Sequence, residues 1–180
     1  MLDLDHTKTV LASVARRYAR AGAALGVALG LGGCGFHLQG SGSLPPALTK
    51  TYIATASPRS EFLATLTDTL RLRGSQIVDS KEEAQAVLDI TADDTGQRVL
   101  SVSARNIPRE YEVYYSVTFS LQVGGEQVIT QESLVATRSY TYDETQVLAK
   151  AAEEDVLRRA LAEDLARRLV RRIEVATPKT

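Results

Sequence analysis

The 180 residues carry 21 Lys and Arg against 22 Asp and Glu, a net charge of −1, with two His and one Cys. That balance excludes a general nucleic-acid binder, whose footprint is a basic excess. So few Cys and His exclude a disulfide framework, a Cys/His zinc site and a Cys–His or Ser–His–Asp set within a domain. No glycine-rich phosphate loop is present, and carboxylate pairs such as Glu82-Glu83 and Asp93-Asp94 read as solvated charges.

Taken in order, Arg16, Arg17 and Arg20 precede residues 21–33, which are uncharged and rich in Gly and Ala. Leu31-Gly32-Gly33 then lead into Cys34. A basic segment, an apolar core, small residues and a cysteine form an export signal ending in a lipidation site. The apolar core falls short of the roughly 20 residues that span a bilayer. Residues 1–33 are therefore expected to be a leader, and Cys34 a lipid-bearing first residue. The alternatives are a buried structural cysteine after a Gly-rich loop and a weak twin-arginine signal at Arg16-Arg17. Asp3 and Asp5 are unusual before a basic segment, which points to a start near Val10 or Val14. Residues 34–46, rich in Gly, Ser and Pro, read as a flexible tether.

Residues 50–56 read as a strand ended by Pro58. Ser57 or Ser60 then caps a helix to about Arg73, with Phe62, Leu63, Leu66, Leu70 and Leu72 as its apolar residues and Gly74 as its stop. Residues 76–79 form a short strand, and residues 86–92 alternate as a strand with one buried face. Residues 111–123 are apolar at every odd position, and Gly124-Gly125 supplies the hairpin turn. A two-residue turn pairs Val123 with Glu126, Leu121 with Val128, Tyr115 with Leu134 and Val113 with Ala136, so the bulky faces coincide. Asp143 caps a last helix from about Glu144 to Val175. Leu157, Leu161, Leu165, Leu169 and Ile173 form its stripe, with Val147, Leu148 and Ala151 serving its first turns. Four acid-to-arginine pairs at i,i+4 (Glu154–Arg158, Asp155–Arg159, Glu163–Arg167, Asp164–Arg168) make its Arg-rich face read as solvated. The expected fold is α+β: a two-layer sandwich, with two helices on one face of a mostly antiparallel sheet of about four strands. The domain spans 47–175, with 176–180 as a tail.

Several segments together carry a resemblance. They are Cys34-Gly35-Phe36-His37-Leu38-Gln39-Gly40, Leu44-Pro45, Leu66 with Leu70-Arg71-Leu72 and Gly74, and Glu110-Tyr111. Arg138-Ser139-Tyr140-Thr141-Tyr142-Asp143, Val147-Leu148-Ala149-Lys150 and the Glu- and Arg-rich helix complete it. This ordered set resembles the LPS-assembly lipoprotein LptE family. Gln39 stands where that family commonly has Arg, and Asn106-Ile107-Pro108 is a further departure.

The resemblance implies a non-enzymatic protein without a cofactor, anchored through Cys34 to the periplasmic face of the outer membrane. It would plug the β-barrel LptD, assist its assembly and bind lipopolysaccharide. Gly35 after the cysteine suits outer-membrane sorting. A generic scaffold lipoprotein tethering another envelope complex is the alternative. Lys150 matches the lysine to which the family attributes lipopolysaccharide binding, and Arg105 falls one place from its other attributed basic position. Arg138, expected near the start of the long strand, joins them. Each reads otherwise as a solvated charge. Tyr140 and Tyr142 are candidate partner-interface residues, or core tyrosines with satisfied hydroxyls.

Overall fold

The structure, a computed structural model, describes residues 44–143, 145 and 147–177. The expected leader, Cys34 and most of the expected tether lie outside them. Five strands make one sheet: β1 (Lys50–Thr55), β2 (Gln76–Val78), β3 (Ala86–Val102), β4 (Pro108–Val123) and β5 (Glu126–Thr141). Their order is β2-β1-β3-β4-β5. β1 runs parallel to β2 and β3, while the long β3–β4 and β4–β5 pairings are antiparallel. The sheet thus has one strand more than expected and is mostly antiparallel by paired length. Helices α1 (Glu61–Leu72) and α2 (Val147–Ala176) share one core with it.

Ser60 is the residue that caps α1; its Oγ accepts the Leu63 N–H at 3.1 Å. Ser60→Ala is expected to cost about 1 kcal/mol, read as a lower unfolding midpoint in urea. α1 buries Phe62, Leu66 and Leu70, but Leu72 is 88% exposed and does not belong to its apolar face. Gly74 follows at φ +91°, the left-handed position at which a helix stops without strain. α2 buries Leu161, Leu165, Leu169 and Ile173 as expected, with Ala162, Ala166 and Val170 beside them. Its first turns differ: Leu148 is 88% exposed and Ala151 is exposed. Leu44, expected in the tether, and Thr177, expected in the tail, are both buried. Of the four expected pairs on α2, three form. Arg159 instead reaches Glu61 of α1 at 3.0 Å, tying the two helices together, and Asp155 meets Arg158.

β3 is much longer than the alternation suggested, because its phase changes. Ala86, Leu88 and Ile90 face the core, and the register then shifts between Ile90 and Ala92. Beyond that bulge Asp93, Thr95, Gln97 and Val99 lie opposite Val117, Tyr115, Val113 and Tyr111, so a polar series continues the inward face. Gln97 Oε1 accepts from the Tyr140 hydroxyl at 3.0 Å. Burial, and then the Asp93 carboxylate, push the Tyr115 hydroxyl far above the ordinary tyrosine range. Neutral residues are favoured there, so this contribution to stability is present below the unfolded tyrosine value and is lost as pH rises above it.

The β4–β5 register also differs from expectation. Val123 does pair with Glu126, but Leu121 meets Ile129, Tyr115 meets Ala136 and Val113 meets Arg138. β5 holds two extra residues between Gln127 and Glu132, so pairings beyond them shift by two while the inward faces stay aligned. Ile129, not Val128, is the buried residue there.

The opposite sheet face is polar, uncharged on β4 from Tyr114 to Gln122 and charged near the strand's start through Glu110 and Glu112. Ser116, Thr118, Ser120 and Gln122 alternate with the buried residues of β4, and Thr118 and Ser133 hydroxyls pair across to β5 at 2.8 Å. Tyr114 lies over Gly96, where a Cβ would meet its hydroxyl at 2.7 Å.

Candidate functional site

The β3–β4 hairpin ends in residues 103–107, folded back on themselves. Ser103 N–H donates to the Ile107 carbonyl at 2.7 Å, Asn106 N–H to the Ser103 carbonyl at 2.9 Å, and Ile107 N–H to Ser103 Oγ at 3.2 Å. Asn106 closes the loop at φ 61°, a conformation that asparagine tolerates better than most residues. This tight closure fixes where Arg105 is presented. Behind the loop, the Tyr142 N–H donates to the Arg109 carbonyl at 2.8 Å, continuing the β4–β5 ladder to the start of the last connection.

A cleft of about 270 Å³ lies at this junction, lined among others by Ser103, Arg105, Ile107, Arg109, Tyr142 and Asp143. Neither Arg105 nor Arg109 makes an ion pair among the described residues, although Arg109 lies near enough to Asp143 to act on its carboxyl. Ile107 and Pro108 give the cleft some apolar lining, and Val99, Leu100 and Val102, elsewhere on the same hairpin, are 47%, 48% and 51% exposed. Cations on a hairpin with exposed aliphatic side chains suit an anionic amphiphile.

A tyrosine cluster supports the cleft. Tyr111 stacks on Tyr140 with ring centres 5.8 Å apart, and Tyr142 meets Tyr111 edge-on at 5.3 Å. Tyr140 is only 8% exposed and its hydroxyl is satisfied by Gln97, so it stands as a core tyrosine. Tyr142 is half-buried and reaches the cleft. Burial, then the negative field of Glu154, raise the Tyr140 hydroxyl above the ordinary tyrosine value.

The expected cap at Asp143 involves neighbours that lie outside the described residues; α2 is described from Val147, and Asp143 Oδ1 accepts the Thr145 N–H at 2.9 Å and its hydroxyl at 2.7 Å. Those hydrogen bonds, with the positive charges of Lys150 and Arg109 behind them, hold its carboxyl below the ordinary aspartate value. The linked stabilisation is therefore present above the unfolded value and lost as pH falls through the lowered folded one. Thr145→Val is expected to move the Asp143 titration upward, measured by NMR of its side-chain carboxyl carbon.

The sequence-derived cations are not all brought together. Arg105 lines the cleft. Lys150 lies near enough to act on Asp143, but its ammonium is engaged by Glu153 at 2.8 Å and its side chain is 19% exposed. Arg138 pairs with Val113, whereas Glu110 pairs with Thr141, so Arg138 sits about 10 Å back along β5 and does not line the cleft. Arg109 takes that place instead. The sequence does not point to it, because the alternation of β4 becomes regular only at Tyr111, three residues inside the strand's beginning at Pro108. Among the described residues no group of His, Cys, Asp and Glu is arranged to hold a metal, and no helix is long and apolar enough to cross a membrane.

The fold is that of small bacterial lipoproteins with a helix-covered sheet. The solution structure of an uncharacterised lipoprotein B from Nitrosomonas europaea superposes with a TM-score of 0.66 at 25% identity, covering 78% of this chain and 90% of that one. The rare lipoprotein B of Shewanella oneidensis matches with a TM-score of 0.62 at 23% identity, over 69% of this chain and 92% of that one. Within that class, residues 48–173 match the family model LptE, described as lipopolysaccharide-assembly, and the chain belongs to the LptE family.

Proteins named LPS-assembly lipoprotein LptE are similar to it over most of its length. That of Yersinia enterocolitica is 28% identical over 144 residues, 79% of this chain and 69% of the relative. That of Photorhabdus laumondii is 29% identical over 141 residues, 78% and 77% of the two chains. Membership brings a role in lipopolysaccharide assembly, with no enzymatic activity.

Proposed function

We propose that this protein is an outer-membrane lipoprotein, anchored on the periplasmic face through Cys34, that plugs an LptD-like β-barrel, assists its assembly and binds lipopolysaccharide during insertion into the outer leaflet. The observation that carries the binding role is the cleft at the hairpin end, lined by Arg105 and Arg109 on a hairpin that also exposes Val99, Leu100 and Val102. Phosphates would meet the guanidiniums and acyl chains the aliphatic side chains. Lys150 extends the positive field through Asp143. Arg138 would act farther along β5, as a secondary contact with the same ligand. The Ser/Thr face of β4 and β5 suits a polar barrel wall, while Tyr142 and Tyr140, packed on Tyr111 on the core side, would support the rim of that contact.

Two measurements test this reading. A tagged form of the protein, drawn from envelope extracts, is expected to bring down a large β-barrel; a pull-down that yields another envelope complex and no barrel would favour the scaffold reading. Lys150→Glu is expected to weaken lipopolysaccharide binding about tenfold, because it reverses a charge and releases Glu153. Unchanged affinity in a direct binding assay would remove Lys150 from the site.

A further inference from the structure

We infer that Asp143 governs release of the ligand from the hairpin-end cleft: its carboxylate is a built-in anion that competes with a ligand phosphate for the same cations, and so holds the affinity of the cleft down. This rests on the reading of the cleft as the lipopolysaccharide site and names the residue that limits it.

The backbone fixes the placement. Tyr142 N–H donates to the Arg109 carbonyl at 2.8 Å, so Asp143 directly follows the residue that Arg109 meets on the opposing chain. Asp143, Arg105 and Arg109 line one cleft of about 270 Å³, with Ser103 and Ile107 of the folded-back tip. The carboxylate is tied in position there. Its Oδ1 accepts the Thr145 N–H at 2.9 Å and the Thr145 hydroxyl at 2.7 Å, a local turn of the kind aspartate and asparagine both make. Those bonds first, and then the charges of Lys150 and Arg109, favour its ionised form, so a full negative charge stands in the cleft at neutral pH.

Two of the cations assigned to the ligand are thus partly neutralised before it arrives. Arg109 acts on Asp143, and Lys150 is shared between Asp143 and Glu153, which it meets at 2.8 Å. A phosphate that reaches Arg109 in a cleft of this size lies within a few ångströms of the Asp143 carboxylate. In a solvent-open cleft, repulsion between unit charges about 6 Å apart is worth about three- to tenfold in affinity. The turn itself does not require that charge, because a carboxamide oxygen would accept the same two hydrogen bonds. A protein that hands its ligand on does require it, since binding must be weak enough to leave.

The experiment measures affinity and dissociation of purified, detergent-dispersed lipopolysaccharide on the full chain carrying Cys34→Ser. Asp143→Asn is expected to tighten binding about three- to tenfold, chiefly through slower dissociation, and high salt should remove most of the gain. Asp143→Glu, which restores the charge, should take back most of it. Glu126→Gln, which removes an exposed carboxylate at the opposite end of β5, should change affinity less than about twofold. Unchanged or weaker binding by Asp143→Asn, a full gain in Asp143→Glu, or an equal gain in Glu126→Gln would each overturn the proposal. If Arg105→Glu with Arg109→Glu leaves the affinity unchanged, the cleft is not the ligand site at all. If that double variant loses binding while Asp143→Asn gains none, the site stands and only the role of Asp143 fails.

Discussion

Phe119→Ala is expected to lower the unfolding free energy by about 3–5 kcal/mol, the largest loss from any single truncation described here. Phe119 is fully buried on β4, the strand that is bonded on one side to β3 and on the other to β5. It pairs with Ile90 and Glu132, next to the positions where both ladders change register. Deleting the ring leaves a cavity that neighbours on two bulged strands cannot close without moving those bulges. Against a total stability of about 5–15 kcal/mol, this is a large fraction. Chemical denaturation of the protein measures it; a loss below about 1.5 kcal/mol would mean that the sheet collapses onto the void. Phe119→Leu, which retains most of the volume, should cost about 1 kcal/mol.

The double variant Arg105→Glu, Arg109→Glu is expected to reduce lipopolysaccharide affinity about 100-fold at low salt while leaving the melting temperature within a few degrees. Both side chains line the cleft and make no ion pair among the described residues, so their reversal costs the fold only the attraction between Arg109 and Asp143. Hydrogen bonds to charged groups are worth about 1.5–3 kcal/mol each, and two losses at the lower end, about 3 kcal/mol together, give roughly the stated magnitude. Arg105→Lys with Arg109→Lys should restore part of the affinity, because charge is retained and the planar fork is lost. An affinity within threefold of the original in the Glu variant would move the ligand away from the hairpin end.

How far the fold was legible depended on whether a residue's pattern was set locally. Ser60, Gly74, the odd positions of β4 and the leucine stripe of α2 each follow from a cap, a backbone need or a period, and the structure places them accordingly. The outer half of β3 was hidden because one extra residue near Thr91 reverses its alternation and because Asp93, Thr95 and Gln97 occupy the inward face. Asp93 answers the Tyr115 hydroxyl and Gln97 the Tyr140 hydroxyl, while Thr95 donates to the Tyr114 carbonyl at 2.9 Å, and no local window reveals these partners. The site was legible in kind, as cations near the ends of the long strands, and Arg105 was found. Arg109 was not, because Pro108 suggested a loop, yet an edge-like strand start tolerates proline. Arg138 was misplaced by the same two-residue register shift that carried Ile129 into the core.

The paired irregularities in β5 also constrain how the gene can change length. Deleting one codon between Gln127 and Glu132 would turn every later side chain of β5 over, sending Ala136 and Tyr140 outward and Val135 and Ser139 inward. Deleting two adjacent codons would restore a plain hairpin with the same residues inside. Length variation at this point should therefore be inherited in steps of two, and a single-codon indel should survive only beside a compensating one on the same strand.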